Sequence, residues 1–235
     1  MTATAFFTEQ DWAAYTPEQH GVWAALYRRR METLWRTASR RFLDGMQAIG
    51  LTADRIPDLA AVNQRLKDLT GWAAVPVTGF LPARDFFACL AQRRFPTTVT
   101  IRAPEQLEYT PEPDIFHDVF GHVPLHANQV FADFLQRFGH AAATAAADDA
   151  VERMARLFWF TVEFGLIREN GMVRLYGSGL ISSIKDAENA LGPSCDRRRF
   201  SAAAVMAQPF EIDRLQDVLF VIEGFDELFD AIRAP

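Results

Sequence analysis

Two of the chain's five histidines fall in one short run, PDIFHDVFGHVPL, as His117 and His122. Imidazole is the commonest metal ligand and a proton carrier near neutral pH, so such a pair could do chemistry. The spacing H-x4-H differs from the H-E-x-x-H of a zinc protease helix. On a regular α-helix five residues turn through about 500°, which leaves the two rings about 140° apart. Gly121 and Pro124 offer a way round this, because glycine is favoured just past a helix end and proline often follows it. On that reading His117 projects from the helix, His122 swings in from its frayed end, and the rings meet. Taken alone, the pair is weak evidence and favours two unrelated structural histidines.

A carboxylate adds weight to the pair. Glu163 stands in LFWFTVEFGLI among Trp159, Phe160, Val162, Phe164 and Leu166, which occupy both faces of a helix and imply burial. A buried ionised carboxylate is costly unless it is paired or holds a metal. Arg156 or Arg168 could pair with it, but neither has the three- or four-residue spacing of helix neighbours. Two histidines and one carboxylate with open coordination positions form the facial triad of non-haem Fe(II) oxygenases. Zinc accepts the same ligands with an open position, so ligand type leaves a zinc hydrolase open. Asp114, three residues before His117, can accept the ring N–H that faces away from a metal. It also suits a helix N-terminus, where the dipole favours negative charge. His20 is expected near a helix start, and His126 and His140 at the surface.

The elements that must position these groups are mainly helical. Thr16 followed by Pro17 and Glu18 predicts a helix start. Val22, Trp23, Leu26, Tyr27, Met31, Leu34 and Trp35 then recur at helical spacing. Further helices are predicted at 36–49, 58–69 and 82–92, and from Glu112 through about 190. Thr97–Arg102 (TTVTIR) is rich in β-branched residues and predicts a strand. Gly71–Phe80 reads as loop with a short strand, and Leu215–Ile222 as strand or helix. The reading is a mainly α single domain over 15–235 with little β-sheet, preceded by a loose arm at 1–14.

Composition narrows the function classes. Of 235 residues, 49% are hydrophobic and 23% charged, which excludes a disordered chain and allows a sizeable core. A net charge of −6 argues against nucleic acid as the partner. The arginine runs at 28–30 and 197–199 read as solvated helix faces. Cys89 and Cys195 show no CxxC spacing and fit reduced thiols in a cytoplasmic protein. The N-terminus lacks the basic region of a signal peptide. The longest apolar run, Leu157–Ile167, is far shorter than the ~20 residues of a membrane span, so no membrane partner is expected.

The motifs together resemble a known family. The run TPEPDIFHDVFGHVPL (110–125) is similar to the metal-binding signature of the tetrahydropterin-dependent aromatic amino acid hydroxylases. FWFTVEFGLI (158–167) with YGSGLISS (176–183) resembles the second half of that signature. VPVTGFLPARDFFACLA (75–91) resembles the family's pterin-binding segment. YTPEQHGVW near the start and QPFEIDRLQDVLFV near the end extend the resemblance over about 15 to 225. Within the family it is closest to the bacterial phenylalanine 4-hydroxylases.

The resemblance implies an isolated catalytic domain without regulatory domain or tetramerisation helix, and a monomer. It implies that His117, His122 and Glu163 are Fe(II) ligands at the catalytic centre. Phe86 corresponds to the ring that stacks on the pterin, and Leu81 to the loop that bonds it through backbone. Ala83 stands where some relatives have serine. Asp118 replaces the usual glutamate that meets the pterin through water, and its arm is shorter. Arg102 corresponds to the arginine that grips the substrate carboxylate, for which a planar fork is suited. Thr110 and Ser182 correspond to substrate-binding positions, with Ser182 also supporting His117, and Pro113 and Trp159 to walls of the aromatic pocket. Without the resemblance, Phe86 and Trp159 read as core and Arg102 as a strand-end surface charge.

Departures from the family pattern are Phe158, which replaces a tyrosine beside the iron site, and short ends that trim the family's lid. The implied partners are an aromatic amino acid, O2 and a reduced pterin that supplies two electrons. Trp159 and the aliphatic Ile212 favour phenylalanine. Tryptophan, or oxygen insertion at the meta position, stays open, because one pocket change is worth only about 1–3 kcal/mol. A non-catalytic amino-acid-binding protein is the remaining alternative.

Overall fold

The computed structural model describes residues 6–233 apart from 109, 111 and 146. Helix α1 (Pro17–Thr37) starts where the sequence predicts. The Thr16 hydroxyl accepts the Gln19 N–H while the Gln19 side chain accepts the Thr16 N–H, a capping box with Pro17 in the first turn. α2 (Arg40–Ile49) and α3 (Leu59–Leu69) follow, capped by Ser39 and Asp58. β1 (Ala73–Val77), α4 (Ala83–Ala91) and β2 (Arg94–Thr98) come next. β1 and β2 pair in parallel, Ala73 opposite Arg94 and Val77 opposite Thr98. The strand expected at 97–102 therefore begins earlier and stops at Thr98, because its boundaries are set by the length of β1.

The second half is α5 (Gln129–Ala143), α6 (Asp148–Phe158), β3 (Leu166–Glu169), β4 (Met172–Leu175), α7 (Ser178–Ser182) and α8 (Ile184–Leu191). β5 (Asp196–Arg199), α9 (Ala202–Ala207), β6 (Val218–Ile222) and α10 (Glu227–Arg233) complete it. A four-stranded sheet runs β4-β3-β6-β5, antiparallel only between β3 and β4. The helix expected to continue to about 190 is thus broken by the β3–β4 hairpin. Asn170 and Gly171 turn it with φ of 52° and 76°, the left-handed pair that a tight hairpin needs.

One hydrophobic core joins both halves, with Trp23, Phe42, Trp72, Phe116, Phe120 and Phe134 fully buried. Among the described residues, no helix is long and apolar enough to cross a membrane. Cys89 and Cys195 are buried and free.

Several expectations are corrected by packing. The opening segment from residue 6 is docked rather than loose; residues 1–5 lie outside the described residues. Phe7 bridges to Val77, Trp12 Nε1 donates to Ile56 O at 2.8 Å, and the Gln10 side chain bonds both Leu59 N and Pro57 O. Arg30 is buried, not on a solvated face. The 197–199 run is exposed but lies on β5. His126 is buried, stacked on Trp72 at 4.7 Å, because Trp72, Phe95 and Phe131 pack around it. His20 does sit at the start of α1, accepting the Ile56 N–H, and His140 is exposed.

Candidate active site

Two π-helical turns build the site. Residues Phe116–His122 form the first. Its i→i+5 bonding widens the turn, so side chains five residues apart come onto one face. The His117 and His122 rings meet edge to face at 5.1 Å. The expected fraying at Gly121 does not occur. The helix runs through Gly121 and His122 and then tightens into a 3₁₀ segment, Val123–Ala127, that contains Pro124. Gly121 serves a close approach instead, since a Cβ there would lie 3.1 Å from Ser178 Cβ.

The second π turn, Trp159–Glu163, continues α6 and closes with Phe164 N–H on Trp159 O at 2.8 Å. It delivers Glu163 to the histidines. Oε1 lies 3.1 Å from His122 Nε2, and Oε2 lies 3.7 Å from His117 Nε2. One ligand atom from each of the three residues falls within 4.8 Å of the others. Burial pushes the Glu163 carboxyl up, but the His122 and His117 imidazoles and the Ser178 hydrogen bond outweigh it and hold it at about 2. Arg156 pairs with Glu152, and Arg168 with Glu223. Neither arginine accounts for this carboxylate, whose side chain is 15% exposed. The donor set fits a divalent metal with positions left open.

The supports around the triad differ in part from expectation. Ser182 Oγ lies 2.9 Å from His117 Nδ1, as the resemblance implies. Asp114 does not take the ring N–H. Its Oδ1 accepts the His117 backbone N–H at 3.0 Å, and its two oxygens accept Arg102 Nε at 2.7 Å and Nη2 at 2.8 Å. The Arg102 fork outcompetes the imidazole for this carboxylate, because a bidentate charge-assisted pair is the stronger bond. Ser178, to which the sequence reading gives no role, donates to Glu163 Oε2 at 2.6 Å. Its spacing of four from Ser182 is the signal available, since both then lie on one face of α7.

Two cavities share His117 and Glu163. The larger, about 390 Å³, is lined by Arg102, Thr110, Pro113, Trp159, Ser182 and Ile212. Trp159 stacks on Phe210 at 4.4 Å and packs on Phe164, forming a flat apolar wall. The smaller, about 180 Å³, is lined by Leu81, Phe86, Asp118 and His122. Phe86 stands edge-on to Phe95 and Phe158 at 5.8 and 5.5 Å. Asp118 Oδ2 accepts from Thr98 N at 2.6 Å and Thr98 Oγ1 at 2.8 Å. Burial raises the Asp118 carboxyl against the lowering pull of His117 and Thr98. Every site residue read from the sequence lines one cavity or the other, except Asp114, which lies behind Arg102. Phe210, unpredicted, backs the Trp159 wall.

Residues 9–234 match the biopterin-dependent aromatic amino acid hydroxylases, and the chain belongs to that family. It is 43% identical to the phenylalanine-4-hydroxylase of Chromobacterium violaceum, over 97% of this chain and 77% of that protein. It is 42% identical to the phenylalanine-4-hydroxylase of Ralstonia nicotianae, over 97% of this chain and 73% of that one. The crystal structure of the C. violaceum enzyme with iron(III) and 7,8-dihydrobiopterin superposes with a TM-score of 0.94 at 43% identity. That match covers 98% of this chain and 85% of the other.

Proposed function

We propose that the chain is an Fe(II)- and tetrahydropterin-dependent monooxygenase that converts L-phenylalanine and O2 to L-tyrosine. The observation that carries this reading is the triad at the junction of two cavities, one built for a charged aromatic amino acid and one for a stacked ring. His117, His122 and Glu163 would hold the iron, and iron with reduced pterin supplies the activation of oxygen. Ser182 fixes the His117 tautomer, with Nδ1–H outward and Nε2 free for metal. Ser178 orients Glu163 in the same way.

Arg102 receives the substrate carboxylate. Asp114 already fixes its guanidinium plane, so little side-chain freedom is lost on binding. Thr110 and Ser182 contribute polar contacts beside it. Pro113 and Trp159 hold the substrate ring near the metal and exclude water. Phe86 presents a ring face to the pterin, Leu81 brings loop backbone to it, and Asp118 meets it through water. The working unit is a cytoplasmic monomer; buried free thiols support the compartment, and light scattering checks the mass.

The test is competitive turnover of Fe(II)-loaded protein with tetrahydropterin, O2 and equal phenylalanine, tryptophan and tyrosine. Para-tyrosine is the expected main product. Meta-tyrosine or hydroxytryptophan would overturn the substrate assignment while keeping the chemistry. Oxygen-independent hydrolysis with zinc, or amino-acid binding without product, would overturn the reaction class.

A further inference from the structure

Helix α7 is only five residues long, yet it carries both hydroxyls that support the triad. Ser178 bonds Glu163, and Ser182 bonds His117. A helix this short leaves most of its carbonyls without internal partners and cannot fix its own place. What holds its C-terminal end comes from far away in the sequence. Arg30 of α1, 3% exposed, donates Nε–H to Ile181 O at 2.6 Å and Nη2–H to Leu180 O at 3.0 Å.

A guanidinium is costly to bury, and this one makes no ion pair with a carboxylate among the described residues. Burial lowers it to about 10, with Glu188 and Asp186 acting from a distance to raise it, so it remains a cation at neutral pH. Both of these bonds go to backbone, on the pair of residues immediately before Ser182. Lysine in its place could reach one carbonyl, and a shorter or apolar side chain neither.

We infer that Arg30 is a positioning residue for the metal centre, clamping the end of α7 so that Ser178 and Ser182 stay on Glu163 and His117. This rests on the proposed metal-binding role of the triad. Arg30 also borders the larger cavity. A direct role on the substrate would act on phenylalanine binding, whereas the clamp acts on the metal.

The test is anaerobic Co(II) titration of the metal-free protein, with the visible ligand-field spectrum recorded alongside steady-state kinetics. In Arg30→Gln, Co(II) affinity should fall about 10- to 100-fold, as for other groups that orient metal ligands. The Co(II) bands should shift, kcat should fall, and phenylalanine KM should change less than about twofold. Arg30→Lys should recover part of the affinity. In a background with Ser178→Ala and Ser182→Ala, Arg30→Gln should cost little more, because the route from the clamp to the ligands is already cut.

Unchanged Co(II) affinity and spectrum in a folded Arg30→Gln protein would overturn the inference. So would an undiminished loss in the two-serine background, or a change confined to phenylalanine KM. Should Arg30→Gln fail to fold, Arg30→Lys is read by the same criteria and must show weaker Co(II) binding. A parent protein that binds no Co(II) would instead remove the metal-site reading itself.

Discussion

The two cavities that meet at the triad are built on different principles. The larger holds its polar groups in fixed pairs at the wall. Arg102 and Asp114 are both buried, locked by two side-chain bonds and one from backbone. Such a wall selects by charge and direction. The smaller is walled by phenyl rings and loop backbone, and the one carboxylate it does not share with the larger, Asp118, is tied to Thr98. Such a wall selects by shape and stacking. Damage should therefore separate cleanly, with one substrate's binding lost while the other's is kept, except where the shared floor is struck.

The largest effect is expected at that floor. Glu163→Gln should abolish turnover and cut metal affinity by more than the roughly 10- to 100-fold seen for outer groups. Metal titration checks this. Full activity in that variant would remove Glu163 from the site and collapse the two-cavity comparison.

Arg102→Lys comes next and strikes only the larger cavity. A lysine keeps the charge but loses the fork. Losing a charge-assisted bond of about 1.5–3 kcal/mol should raise phenylalanine KM roughly 10- to 100-fold. Pterin KM should stay within about twofold. Parallel KM measurements decide it, and equal rises in both would show that the cavities are not independent.

Phe86→Ala is the counterpart in the smaller cavity. It removes the stacking face together with its edge contacts to Phe95 and Phe158. An aromatic contact is worth about 0.5–1.5 kcal/mol beyond its buried area. Pterin KM should therefore rise about tenfold or somewhat more, and phenylalanine KM less. An unaffected pterin requirement would end the stacking role.

What was legible in the sequence divides along a similar line. The triad could be read because a carboxylate inside FWFTVEFGLI needs a partner, and no arginine at helical spacing supplies one. The Thr16 cap with Pro17 after it and the helix that follows are local patterns and were readable. Asn170–Gly171 was equally local, and the hairpin it turns went unread beneath the helical rhythm on either side. The π turns have no residue code; they arise where the chain must present side chains five apart to one point. Ser178, Phe210 and Arg30 owe their roles to partners distant in sequence. The Arg30 contacts span about 150 positions, so its place in an RRR run pointed to solvent. His126 misled for the same reason, since only the assembled layer of Trp72, Phe95 and Phe131 makes its position a buried one.

The smallest prediction probes how this chain uses the short carboxylate of Asp118. Thr98→Val removes the hydroxyl bond to Asp118 Oδ2 and leaves the Thr98 backbone N–H in place. One such bond is worth about 1 kcal/mol net, so pterin KM should rise about two- to fivefold, with phenylalanine KM unchanged. The sign carries the information. A rise means that Thr98 holds the short carboxylate at the cavity wall where water can link it to the pterin. A fall would mean that Thr98 competes with the pterin for Asp118, and that the smaller cavity binds its ring by stacking alone.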